Sequence, residues 1–238
     1  MRVIVLGGTG FIGRALTSCL LAMGHEVLVG SRRLAPGETA PAKSGATLLG
    51  WDGATATGWV QAIKGAEAVV NLAGENIASG RWTPERRRRI LSSRLKAGEA
   101  VCQAIRAAGA PPKVLVQASA IGFYGLRGDE PLTEQDDSAG PPSFLADTAG
   151  LWEASTAAVA EQGVRRVVIR TGVVLGRGHG ALERFLTPFR LFVGGPLGSG
   201  RQWFSWIHLE DEARAIAHLL EDAEASGPYN LTAPNPVT

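Results

Sequence analysis

The first junction of the chain constrains its fold more than any other feature. Arg2–Leu6 (RVIVL) is a short β-branched run of the kind a strand covered on both faces requires. Glycines follow at once in GGTGFIG, and residues 11–23 then switch to helical spacing, with Ile12, Leu16, Leu20 and Met23 on one side. Three glycines alone say little in a chain that holds 31 of them. Between a strand and a helix they become specific. Gly7, Gly10 and Gly13 then supply a tight turn, a close backbone approach to a pyrophosphate, and close helix–strand packing. The helix N-terminus adds free N–H groups and a partial positive charge. The junction predicts a dinucleotide site.

The rest of the chain keeps the same rhythm. Strand-like runs at 27–30, 47–49, 68–72, 114–118 and 166–170 alternate with helical stretches, of which 83–108 and 144–162 are the longest. Thr83-Pro84-Glu85 opens the first of these with a capping hydroxyl, a proline suited to the first turn and an acid that suits the dipole, and Gly109 closes it. Repeated strand–helix units predict a Rossmann-type α/β fold, a doubly wound parallel sheet with helices on both faces. With 238 residues, 45% of them hydrophobic, the chain suffices for one core, and a single domain over 1–238 is expected. Its core would span about 1–175. After that the pattern changes to glycine-rich loops and an amphipathic stretch at 181–192, which predict a small substrate lobe from about 176–208 and 226–238. The lobe ends at APNPVT without a closing helix, as if cut short.

Composition removes several function classes. No apolar run reaches the length of a membrane helix, and the N-terminus lacks the pattern of a signal peptide, so a soluble, cytoplasmic protein is expected. Cys19 and Cys102 sit in helix-like apolar patterns and read as buried free thiols. A net charge of +2 argues for neither a nucleic-acid nor a membrane partner. The arginine run 86–89 does not change this, because four consecutive helical residues splay round the whole circumference. One or two of them turned toward cofactor phosphates is the expected arrangement.

The end of the second strand selects the cofactor. A site for NAD places an acid there to hold the ribose 2′-hydroxyl. Here the sequence reads GSRR, so Ser31, Arg32 and Arg33 occupy the corner, and no carboxylate follows until Glu38. Guanidinium groups suit a 2′-phosphate through paired charge-assisted hydrogen bonds. The expected cofactor is NADP.

Taken together, VIVLGGTGFIG, GSRR, NLAGENI, SSRL, SAIGFYG, RTGVVLGRG, PFR and FSWIHLED resemble the epimerase-family branch of the atypical, extended-type short-chain dehydrogenase/reductases, a group of nucleotide-sugar-epimerase-like proteins. The resemblance covers almost the whole chain. It implies an extended Rossmann fold that binds NADP, and a further C-terminal segment of some tens of residues beyond those present here. It also implies positions. Gly7, Thr9, Gly10, Phe11, Ile12 and Gly13 would line the pyrophosphate, and Ser31, Arg32 and Arg33 the 2′-phosphate. Asp52 would face the adenine edge, while Leu72, Ala73 and Gly74 would pass under the ribose. Arg94, with Arg89 beside it, would add cofactor contacts. Ser119 would lie near the nicotinamide ribose, and Thr171 to Val174 would border the nicotinamide. By analogy with the superfamily, a homodimer through the two long helices is expected.

The superfamily's catalytic pair is missing. It consists of a tyrosine whose pKa is lowered by a lysine four residues later. The only tyrosines, Tyr124 and Tyr229, are followed at that spacing by Gly128 and Ala233. The helix that should carry the pair reads SFLADTAGLWEAS, with Phe144 and Thr148, or one register on Leu145 and Ala149, at the matching places. Candidate substitutes are Tyr124, Asp147 and His208, with Ser119 one position earlier than the usual hydroxyl; each also has a purely structural reading. Trp203, Phe204 and Trp206 could close over the nicotinamide or merely fill the lobe. Two functions therefore stand open. One is an NADP-dependent oxidoreductase or epimerase acting on a sugar-like or other small carbonyl substrate, through Tyr124 and Ser119. The other is an NADP(H)-binding module that has lost catalysis and regulates a protein partner.

Overall fold

The first strand is the centre of the sheet. In the computed structural model, which describes residues 1–138, 141–178, 180–196 and 198–238, β1 (Arg2–Leu6) lies between β2 (Glu26–Ser31) and β5 (Ala68–Asn71), parallel to both. His179, in the glycine-rich stretch, and Leu197, in GGPLGSG, fall outside the described residues. Val3 and Val5 enter one core with Leu16 and Leu20 of α1 (Phe11–Ala22). Ile4 and Leu6 enter the other, with Val101 and Ile105 of a long helix on the opposite face. This two-residue alternation, apolar on both sides, is why the strand reads as a continuous hydrophobic run. Each such side chain taken fully out of water contributes roughly 1.5–3 kcal/mol.

The remaining elements follow the expected order. They are β3 (Thr39–Pro41), β4 (Thr47–Gly50), α2 (Val60–Ile63), α3 (Pro84–Ala108), β6 (Val114–Ala120), α4 (Phe144–Ala154), β7 (Arg165–Thr171), β8 (Val173–Leu175), α5 (Ala181–Arg190), β9 (Trp206–His208), α6 (Leu209–Glu221) and β10 (Gly227–Leu231). The eight-stranded sheet runs β10-β7-β6-β5-β1-β2-β4-β3, so the order reverses at β1 and opens a crevice beyond the carboxyl ends of β1 and β5. The caps of α3 are as its sequence predicts. Thr83 accepts a hydrogen bond from the Arg86 backbone N–H at 3.3 Å, Pro84 opens the helix, and Gly109 ends it with φ 67°.

Three elements depart from the sequence reading. First, β10 is the edge of the main sheet, paired with β7, rather than part of the small lobe. Second, β3 forms an antiparallel edge with β4 that no strong alternation announces, and its Pro41 is tolerated because it lies at the rim. Third, the helix expected over 144–162 breaks after Ala154 and continues as a 3₁₀ turn at Ala157–Gln162. The cause is local competition. The guanidinium of Arg166 takes the Glu153 carbonyl that the helix would otherwise use, and Ser155 turns its hydroxyl back to Trp152 at 2.7 Å. A two-stranded pair, β8 with β9, carries the chain out of the sheet toward α5 and the loops around it.

Candidate functional site

The crevice at the end of β1 is shaped by what its glycines leave out. Gly7 has φ +81°, and a Cβ there would lie 2.8 Å from the Leu72 carbonyl. A Cβ on Gly13 would approach the Gly7 carbonyl oxygen to 2.3 Å, so any side chain would push α1 off the β1 turn. Thr9 and Gly10 are exposed at the mouth, and Phe11 and Ile12 begin the helix. That helix has no side-chain cap and no acid in its first turn. Its leading N–H groups are thereby left to an external anion. The residues present fit a pyrophosphate.

At the far end of β2 the 2′-corner is also open. Ser31 is buried and accepts from the Arg33 backbone N–H at 3.3 Å, which fixes the turn. Arg32 and Arg33 are exposed, and Arg32 passes its side chain over Gly53. Neither forms an ion pair among the described residues. Charge reversal at this corner is a direct test. Arg32→Glu is expected to weaken NADPH binding about 100-fold, the loss of one or two charge-assisted hydrogen bonds, while NADH changes little. Equal weakening of both, measured by calorimetry, would remove the 2′-phosphate assignment.

Other expected contacts have different duties. Asp52 closes a local turn, accepting from the N–H groups of Ala54 and Thr55 at 2.8 Å each and from the Thr55 hydroxyl at 2.6 Å. Burial pulls its carboxyl up, but these bonds outweigh it and hold it below the usual carboxylate range. Its carboxylate holds the turn and remains exposed at the end of β4. Leu72 and Ala73 line the crevice floor, held by Leu72 N–H to the Leu6 carbonyl at 2.9 Å and Ala73 N–H to Asn71 at 3.2 Å. Gly74 lies on the Arg94 guanidinium. Arg94 donates to the carbonyls of Glu75 and Ile90 at 3.1 and 3.0 Å and stacks over Trp152 at 4.7 Å. Burial lowers its pKa to about 10, against the pull of Glu75. Arg89 turns to Glu75 as well, at 3.6 Å. Both arginines brace the 71–82 loop from beneath. Arg86 does the same from a buried position, reaching Glu75, the Asn76 carbonyl and Ser79, whereas Arg88 pairs with Glu85 in solvent. The run is splayed, as its helical geometry requires.

The two catalytic candidates meet in one buried network. Ser119 ends β6 and donates to Glu153 of α4 at 2.6 Å. Glu153 holds Arg170 of β7 through both oxygens, at 3.0 and 3.2 Å. Arg170 donates to the Tyr124 hydroxyl at 3.0 Å, and Tyr124 donates onward to Asn230 at 2.7 Å. Glu134 closes the chain by accepting from the Asn230 backbone N–H at 2.7 Å. Burial works against the charge on Arg170, but Glu153 and Tyr124 outweigh it and keep the guanidinium protonated. Tyr124 is 3% exposed with its hydroxyl engaged on both sides. The candidate acid Tyr124 thus donates to Asn230 and accepts from Arg170 in this structure. Ser119, 5% exposed, likewise gives its proton to Glu153. Thr148, at one of the places matching the superfamily's lysine, is buried with its hydroxyl unpartnered among the described residues.

Glu153, Arg170 and Asn230 were not singled out by sequence. A charged residue at a buried place of a central strand, RRVVIRT, was the available signal. The end of β7 holds one more such group. Thr171 ends β7 and donates to Glu212 of α6 at 2.8 Å, with Val174 close by on β8. His208 caps α6 through Nδ1, accepting from the Glu210 N–H at 3.3 Å, and Asp147 sits in the first turn of α4. Of the three aromatics, Phe204 lines a lobe cavity of about 630 Å³ with Phe185, Phe189 and Arg184. Trp203 instead donates to Asp129 at 2.7 Å, and Trp206 belongs to β9. Among the described residues no cluster suits a metal, and no helix is long and apolar enough to cross a membrane.

Comparison with known proteins agrees with this architecture. The family model described as the NAD dependent epimerase/dehydratase family matches residues 3–232. Epimerase family protein YfhF of Bacillus subtilis is 41% identical over 239 residues, covering 100% of this chain and 76% of that protein. The crystal structure of human epimerase family protein SDR39U1 with NADPH superposes with a TM-score of 0.85 at 39% identity, covering 99% of this chain and 75% of that one. A nucleoside-diphosphate sugar epimerase from Corynebacterium glutamicum gives 0.82 at 33% identity, over 100% of this chain and 47% of the other. On its fold, its crevice and these relationships, the chain belongs to the NAD dependent epimerase/dehydratase family.

Proposed function

We propose that this protein is an NADP(H)-dependent oxidoreductase or epimerase that transfers hydride between the nicotinamide and a small carbonyl or sugar-like substrate. The observation that carries the reading is the crevice itself. It combines a glycine-rich turn, an uncapped helix N-terminus and, at the ribose corner, two exposed arginines with no ion pair among the described residues. When bound, NADP(H) supplies the hydride. The chain's own residues bind and orient: Gly7 to Gly13 receive the pyrophosphate, Arg32 and Arg33 the 2′-phosphate, and Thr171 the nicotinamide end. Phe11, the first residue of α1, packs against Gly176 and Gly180 at the root of the lobe. NADPH in the human relative's structure supports the cofactor choice.

The second reading, a cofactor-binding module without turnover, is favoured by one observation. Tyr124 and Ser119 spend their protons on Asn230 and Glu153. Following NADPH absorbance with a panel of sugar, keto and quinone carbonyls separates the two. Consumption that depends on one carbonyl class is the expected result, and it should survive Tyr124→Phe. Saturable binding with no consumption across the panel would establish the module instead.

A further inference from the structure

We infer that Glu212 sets which redox state of the cofactor the crevice prefers, acting through the hydroxyl of Thr171, so that the preference changes with pH. The inference rests on the NADP(H) reading above. Glu212 lies on the apolar stripe of α6 with Ala213, Ile216, Ala217 and Leu220, and it is 0% exposed. One of its oxygens accepts from Thr171 at 2.8 Å, and the other has no partner among the described residues. A leucine or alanine would fill such a place at no electrostatic cost, whereas a buried carboxylate with a bare oxygen is unfavourable. Its location gives that charge a use. In a doubly wound sheet the ligand lies across the carboxyl ends of the strands. Here the basic 2′-corner is at β2, so the nicotinamide half extends toward β6 and β7, where Thr171 stands.

The hydrogen bond transmits the protonation state. While Glu212 is ionised it takes the Thr171 proton, so the threonine oxygen offers only lone pairs to the crevice, with a negative charge behind it. That arrangement favours the positively charged ring of NADP⁺ over the neutral ring of NADPH. Once Glu212 is protonated, the carboxyl can donate to Thr171, the threonine proton is free to turn outward, and the charge is gone.

Among the described residues, nothing else nearby competes for the charge. On α1 the titratable groups are the exposed Arg14 and Cys19, which bonds Met23. On β7, Arg165 is held by the carbonyls of Leu219, Leu220 and Ala225, Arg166 by Thr156 and the Glu153 carbonyl, and Arg170 by Glu153. His208 of β9 caps the helix, and β6 and β8 carry no titratable group. On α6 itself Glu210 and Asp211 face Arg214 in solvent, and His218 and Glu221 lie at the far end. Burial raises the Glu212 carboxyl to about 7, with Thr171 opposing, which places the switch near neutral pH.

Titration calorimetry of the full chain with NADP⁺ and with NADPH, from pH 6 to 8.5, tests this. The 2′-phosphate titrates in both cofactors and drops out of the ratio of their Kd values. In the native protein the preference for NADP⁺ should rise about tenfold across this range, equivalent to a one-unit change in the Glu212 pKa between the two complexes. Glu212→Gln should hold a constant ratio. A native ratio that stays flat while both cofactors bind overturns the inference, and so does a slope that persists in Glu212→Gln. Should that variant not fold, the native titration decides alone. Failure of the native chain to bind either cofactor would overturn the cofactor assignment and this inference with it.

Discussion

Glu153→Ala is expected to destabilise the protein by about 3–5 kcal/mol, the largest effect of any single substitution in the network, because it strands a buried guanidinium. Arg170 is 5% exposed and donates to both Glu153 oxygens. Without them it keeps the Tyr124 hydroxyl, the Glu134 carbonyl and the face of the Phe123 ring, none of which carries a full negative charge. For a chain of this size the melting temperature should fall by about 10 °C or more. Removing both partners, as in Glu153→Leu with Arg170→Met, should recover most of the loss, since an apolar pair of similar volume avoids the cost of desolvating two ions. Tyr124→Phe should be milder, about 1–2 kcal/mol, from leaving Asn230 without its donor. NADPH affinity should not change with it. A Glu153→Ala protein that melts with the native one would sink this account. Loss of NADPH consumption at unchanged stability would instead place Glu153 and Ser119 in the chemistry.

This network also marks where sequence reading stops. The crevice was legible because its determinants are local: a buried strand, a turn and a helix start lie within a dozen residues, and each glycine has a steric reason. The caps of α3 were legible for the same reason. The Arg170–Glu153 pair is not local. It forms only because α4 packs on the sheet beside β6, which brings Glu153 onto Ser119 and Arg170 together. Likewise YNLT (229–232) reads as a short strand, yet nothing within it says that it joins β7, as Gly227–Leu231 does, rather than the lobe. The break in the helix after Ala154 depends on Arg166, which arrives from another element. Asp52, Arg89 and Arg94 stand at the expected places along the chain, but their side chains answer to neighbours that spacing does not reveal. Glu212 was not singled out either, although its signal is visible in the sequence. Leu209, Ala213, Ile216, Ala217 and Leu220 trace one face of a helix, and position 212 falls on that face.

Glu212→Gln is expected to abolish the pH dependence that this carboxylate imposes on stability. The group ionises near 4.5 in an unfolded chain and near 7 when folded, because burial disfavours the charge more than Thr171 favours it. Between those values the folded state binds more protons than the unfolded one, so stability must fall as pH rises. The contribution is fully present below about pH 4.5 and is lost as pH passes through 7. A displacement of that size corresponds to about 3 kcal/mol. Glutamine keeps the shape and the acceptor for Thr171 but cannot ionise. At pH 5 the variant should match the native protein or fall slightly below it, since its amide brings an N–H into the place of the unpartnered oxygen. At pH 8 it should be the more stable of the two, with the difference in melting temperature having moved by about 5–10 °C in its favour. The carboxyls held low by hydrogen bonds, such as Asp52 and Asp136, act in the opposite sense at more acid pH and are common to both proteins, so they cancel. A difference that stays constant from pH 5 to 8 would show that Glu212 is not a neutral acid released near pH 7. A rising difference means that the native chain keeps, at working pH, a charge its own fold would be more stable without, directly behind the hydroxyl at the end of β7.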